Sequence, residues 1–202
     1  METPQPHTPY GLDPFSDTHF VLKRAMFSIG GKLHIYNAND VQVLFARQKA
    51  FKLREDIRIF SDETMTVEIL TIKARKIIDW SAAYDVMDSR TGEKVGTYRR
   101  KGWKSILRDT WQVLDVNDQQ IGEITEDNMI AALLRRFLTN LIPQGYDMKF
   151  GTNKVADYQQ NFNPFTYHLR IDFSMDTGRL LDKRLGIAGA VLLATIEGRQ
   201  QG

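Results

Sequence analysis

The chain has no cysteine. That excludes disulfides, thiol nucleophiles and cysteine-based zinc sites, and it suits a reducing compartment such as the cytoplasm. Proline is confined almost as strictly: Pro4, Pro6, Pro9 and Pro14 crowd the opening residues, and the next is Pro143. A long proline-free stretch is what hydrogen-bonded strands require, because proline removes a ladder donor. Neither sign of charge dominates. The 27 Lys+Arg stand against 25 Asp+Glu for a net charge of +2, which excludes a disordered polyelectrolyte and gives no reason to expect nucleic acid as a partner. No apolar run is long enough to cross a bilayer: the longest without a charge, Leu185 to Ile196, falls short of the roughly 18 to 20 residues needed. The opening residues have no Lys or Arg before Lys23 and no apolar run, so they do not read as a signal peptide.

Signatures of enzymatic chemistry are missing too. His7, His19, His34 and His168 show no metal-ligand spacing, and there is no HExxH, no GxSxG and no glycine-rich phosphate loop. Gly186 and Gly189 lie within an apolar helical pattern, where they cannot cradle phosphate. No catalytic residue, metal or cofactor is expected, and the chain reads as a non-enzyme.

What remains is 202 residues, 42% of them hydrophobic, enough for one domain with a tail. Residues 1–18 are expected as an extended tail and 19–198 as the domain. From Phe20 the hydrophobic period is mostly two, as in Met65, Val67, Ile69 and Thr71, or Tyr84, Val86 and Asp88. Turn residues punctuate it at Gly30-Gly31, Asn37 to Asp40, Ser61 to Glu63, Asp88 to Gly92 and Asn117-Asp118. An internal repeat links Leu33–Leu44, Tyr84–Gly96 and Trp111–Gly122, each a strand, an Asx-led turn and a second strand. The expected fold is a meander of antiparallel hairpins. Asp85, Asp88 and Asp115 suggest a cation site less than turn-forming carboxylates, since each belongs to one hairpin copy.

Two segments change period. Ile130, Leu133, Leu134, Phe137, Leu138 and Leu141 share one helical face, with Thr125 as a possible cap and Pro143 beyond the end, which predicts an amphipathic helix on the outside of the sheet. Leu185 to Ile196 is apolar all round, with Gly186, Ala190 and Ala194 on a slim ridge. At about 1.5 Å per residue it spans about 18 Å, which fits the interior of a small barrel.

The YDVxD-turn-TGExVG pattern of Tyr84–Gly96, its echo at Trp111–Gly122, and a closing apolar helix that opens Asp182-Lys183-Arg184-Leu185 together resemble the LURP-one-related proteins. These are grouped with the phospholipid scramblases and the Tubby C-terminal domain. The resemblance runs from about Phe20 to Glu197 and implies a closed antiparallel β-barrel of about twelve strands around a buried C-terminal helix. It further implies a non-enzymatic binding or scaffold protein, with anionic phospholipid or phosphoinositide headgroups as the partner class. Unlike scramblases, the chain has no cysteine to acylate and no acidic cluster with calcium-ligand spacing.

The polar cluster that could serve such a partner is Arg99, Arg100, Lys101, Lys104 and Arg108, five cations in ten residues without an acid and with Trp103 among them. Strand alternation would send Arg99 and Lys101 to one side and Arg100 and Lys104 to the other. A solvated hairpin end, its charges deterring edge pairing, is the competing reading. A second class of function, an unrecognised enzyme or small-molecule carrier with a pocket at a barrel mouth, also remains open. Any membrane contact is expected to be peripheral and cytoplasmic.

Overall fold

The structure, a computed structural model, describes residues 13–25, 31–48, 56–75, 82–100, 110–126, 144–161 and 166–196. Their strands are β1 His19–Ala25, β2 Lys32–Asn37, β3 Gln42–Gln48, β4 Asp56–Phe60, β5 Glu68–Ala74 and β6 Ala83–Asp88. There follow β7 Lys94–Arg100, β8 Thr110–Leu114, β9 Gln120–Glu126, β10 Gly145–Phe150, β11 Asn153–Gln160 and β12 Thr166–Asp172, then a helix, α1, at Lys183–Ile196. Each strand pairs antiparallel with its neighbours in the chain, and β12 pairs back onto β1, with Phe20 opposite Ile171, so the twelve close into a barrel.

The hairpins share one local device. In β2–β3, β4–β5, β6–β7, β8–β9 and β10–β11 the register slips near the turn, for instance between Ile35 and Tyr36 and between Val113 and Leu114. Such bulges sharpen twist, which a sheet needs in order to close. Asn37 Oδ1 accepts hydrogen bonds from the amides of Asn39 and Val41 at 3.1 and 3.0 Å, and Asp115 Oδ1 accepts those of Asn117 and Gln119 at 2.8 and 2.9 Å. Asp40 and Asp118 take the left-handed backbone these turns need, with φ of 56° and 64°. The repeat seen in the sequence is therefore a repeated hairpin.

All five turns lie at one end of the barrel, called here the hairpin end. The last residue of β12 and the first of β1 lie there too, Asp172 opposite His19. The opposite strand ends, where Lys32 of β2 faces Arg47 of β3 and Gln48 of β3 faces Ile57 of β4, make the other end, called the loop end. α1 starts at the hairpin end and fills the lumen, and Leu185 to Thr195 are buried on every side. Its start is set by Asp182, whose Oδ1 accepts the Arg184 amide at 2.9 Å. Two glycines let it fit. A Cβ on Gly186 would lie 2.6 Å from Phe173 Cζ, and one on Gly189 would lie 2.7 Å from Tyr98 Oη.

Some expectations change. Thr125 is no helix cap: it is a rung of β9, opposite Thr110 and Asp147, because the strand extends to Glu126. The amphipathic helix expected over Ile130–Leu141 lies outside the described residues. Met65 and Val67 belong to the β4–β5 turn rather than to a strand, and Met65 has φ of 58°. Residues 1–12 of the expected tail also lie outside the described residues. Phe15 packs against the core, and Lys183 Nζ donates to the carbonyls of Ser16 and Asp17 at 3.1 and 2.7 Å.

Candidate functional site

β7 ends in Arg99 and Arg100, and period-two alternation sends them to opposite faces. Arg99 stands on the outer wall between Ala83 and Gln112. Arg100 follows Tyr98 onto the lumen side, where its guanidinium lies 5.8 Å from the centre of the buried Trp111 ring. Lys101, Lys104 and Arg108 lie outside the described residues. Of the five cations in the cluster, the structure thus places two, and it separates them.

The hairpin end carries a different charged constellation. Asp88 is fully buried, yet it accepts from Arg90 Nη2 at 2.7 Å, from Arg90 Nε at 3.1 Å and from Arg184 Nη1 at 2.9 Å. Burial alone would push its carboxyl up, but the hydrogen bonds from the two guanidiniums and from the Arg90 amide outweigh that and hold it at about 2. Arg184 also grips Asp182 at 2.6 Å. The Asp182-Lys183-Arg184 sequence therefore does three jobs: it caps the helix, ties the chain leading into β1, and locks the helix to the β6–β7 turn. At the far end Arg24 Nη1 donates to the Ala194 carbonyl at 3.1 Å, placing a cation where the helix dipole is negative. Between these ends, Tyr98 Oη donates to the Leu185 carbonyl at 2.7 Å and Tyr158 Oη to that of Gly186 at 3.0 Å. Burial pushes the pKa of both phenols up, because the charged phenolate would be desolvated, so they remain neutral donors.

On the outer wall, Arg75 holds Asp85 at 2.6 and 2.7 Å and Asp118 at 2.7 Å, with Lys94 on Asp118 at 2.6 Å. Asp85 is thus a mid-strand ion-pair partner and not the turn former expected, whereas Asp88 and Asp115 do organise turns. A second feature crosses β10, β11 and β12, where Asp147, Asp157 and Asp172 stand directly opposite one another. Lys154 bridges Asp147 and Asp157, and His19 Nε2 lies 3.3 Å from Asp172. Among the described residues no three His, Asp or Glu converge as a metal site. A groove of about 330 Å³ lies beside it, bordered by Phe20, Asn37, Asp40 and Arg170.

The histidines make ordinary contacts. His34 meets Glu63 at 3.1 Å and packs at a tilt against the Phe45 ring, and His168 sits near Asn161. Sequence reasoning missed the two tyrosine hydroxyls on the helix. Their signal was available, since a tyrosine on the apolar side of a strand needs an acceptor for its hydroxyl.

A family model described as LURP-one-related matches residues 42–184. No curated protein and no solved structure matches the chain.

Proposed function

This chain belongs to the LURP-one-related family, and from that premise we propose that it is a non-enzymatic binding module that docks on anionic phospholipid headgroups through its basic hairpin. The observation that carries the reading is the run Arg99, Arg100, Lys101, Lys104 and Arg108, uninterrupted by any acid. On an acidic bilayer each near-surface cation contributes roughly 1 kcal/mol. Arg99 projects from the outer wall and makes no ion pair among the described residues. Among the described residues no helix is long and apolar enough to cross a membrane, so this contact is peripheral.

The test is co-sedimentation with vesicles, comparing wild type with Arg99→Gln, Lys101→Gln and Lys104→Gln combined. Arg100 is left in place because its guanidinium lies over Trp111. Wild type is expected to pellet with acidic vesicles and not with neutral ones, and the variant to stay in solution. Equal pelleting of the two proteins would refute the assignment.

A second reading, a small-molecule carrier at the loop-end mouth, has one observation in its favour. Gln48 Nε2 and Trp111 Nε1 are buried donors with no acceptor among the described residues, and an unmet buried donor costs about 1 to 3 kcal/mol.

A further inference from the structure

The groove on the outer wall beside the aspartate row takes no part in the lipid contact. It holds about 330 Å³ between the β2–β3 turn and strands β1, β12 and β11. That volume lies within the roughly 300 to 1,000 Å³ of small-molecule sites, near the lower bound. Val21 and Ala38 supply apolar lining, and His19, Asp40, Asp157, Arg170 and Asp172 surround it with charge.

These charges are unevenly matched. Asp40 is held by Lys23 at 2.9 Å and Asp157 by Lys154 at 2.7 Å. Arg170 is exposed and makes no ion pair among the described residues. Asp172 meets the His19 imidazole at 3.3 Å and accepts the Ser174 amide at 2.7 Å, but among the described residues no Lys or Arg reaches it. Burial pushes its carboxyl up, yet the Ser174 hydrogen bonds and the nearby His19 and Lys154 charges outweigh that. It is therefore a carboxylate at neutral pH.

Arg170 and Asp172 lie two residues apart on one face of β12, about 7 Å along the strand, and they do not meet. Elsewhere in the barrel the same spacing closes. Arg58 reaches Asp56 at 3.4 Å on β4, and Lys149 reaches Asp147 at 3.3 Å on β10. On β12 the two charges are left apart at the edge of a groove.

We infer that this groove binds a small zwitterion, with its anionic group on the Arg170 guanidinium, its ammonium on Asp172 and its apolar body on Val21 and Ala38. A lone anion would face the three surrounding carboxylates, and a lone cation would face Arg170. A ligand carrying both signs is the one these charges complement. The planar guanidinium suits a carboxylate or a phosphate equally. Two sources share this chemistry: a free apolar amino acid and an aminoalkyl phosphate headgroup. The site is independent of the basic hairpin, because β7 lies across the barrel from β1 and β12.

The test is titration of isotope-labelled protein, read by NMR at the amides of Val21, Gln159 and Asp172. The probes are L-leucine and phosphoethanolamine, with isoamylamine and isocaproate as leucine analogues that keep one charge each. A zwitterion should shift these amides saturably, and each single-charge analogue should bind at least about tenfold more weakly. Arg170→Gln and Asp172→Asn should each weaken the zwitterion by about the same factor, whereas Lys73→Gln, an exposed change on β5, should leave it unchanged. Arg170 has no ion pair to lose, so its variant keeps the fold and decides the matter even where Asp172→Asn does not fold. Shifts with leucine alone support the site and assign an amino acid. Shifts with phosphoethanolamine alone support it and assign a headgroup, and shifts with both support the shared chemistry. No shift with either zwitterion at about 10 mM, an analogue that binds as well as leucine, or unchanged binding by Arg170→Gln overturns the inference.

Discussion

Gly189 shows how little room the lumen has. In an ordinary helix interior Gly→Ala gains about 1 kcal/mol. Here a methyl group would lie 2.7 Å from the hydroxyl that Tyr98 gives to the Leu185 carbonyl, so Gly189→Ala should cost about 1 to 3 kcal/mol by overpacking. Urea denaturation of the variant checks the sign, and a stabilised protein would refute the packing described. Asp88 is the other decisive residue. Its folded carboxyl sits at about 2 against an ordinary 3.8. It therefore contributes stability that is fully present above about pH 4 and is lost as the pH falls toward 2. The depression corresponds to about 2 kcal/mol. Asp88→Asn should lose at least that much at neutral pH, and the gap between variant and wild type should narrow between pH 4 and pH 2. A gap that stays constant over that range would show that the two arginines do not hold the charge.

At the scale of elements, the helix and the hairpins differ in how much they reveal before folding. A helix apolar on every side has to be surrounded, so Leu185 to Ile196 announced a lumen from its sequence alone. Asn37, Asp88 and Asp115 likewise announced their turns, because an Asx side chain folds back onto its own backbone whatever lies around it. The pairing of β1 with β12, the bulges and the Asp88–Arg184 lock were not legible. Each depends on residues far apart in the chain that no local pattern connects. The basic hairpin was half legible: period two foretold that Arg99 and Arg100 part, but not that Trp111 would receive Arg100. The central role of α1 is testable through Leu193, which is 1% exposed. Leu193→Ala should cost about 2 to 5 kcal/mol and lower the thermal midpoint while the fold persists. Ala190→Glu would bury a charge with no partner and should yield no folded barrel. A cooperatively folding Ala190→Glu protein would contradict the placement of the helix.

The whole molecule couples these scales. The buried helix holds twelve strands around it and is fixed at both ends by arginines, so the charged chemistry left over lies on the outer wall and at the two ends of the barrel. At the hairpin end that chemistry is largely consumed in caps and ion pairs. At the loop end Lys32, Arg47, Lys73 and Arg99 make no ion pair among the described residues. The proposed function is an electrostatic contact with an anionic surface. Such a contact has to weaken with salt, because the Debye length shrinks from about 10 Å at 0.1 M to about 3 Å at 1 M. The most direct measurement is the affinity of wild-type protein for vesicles of anionic phospholipid across that range of salt, with neutral vesicles alongside. Firm binding to the acidic vesicles is expected at 0.1 M, with progressive loss toward 1 M and none to the neutral ones. Binding to neutral vesicles, or binding to acidic vesicles that does not change with salt, would contradict the electrostatic contact.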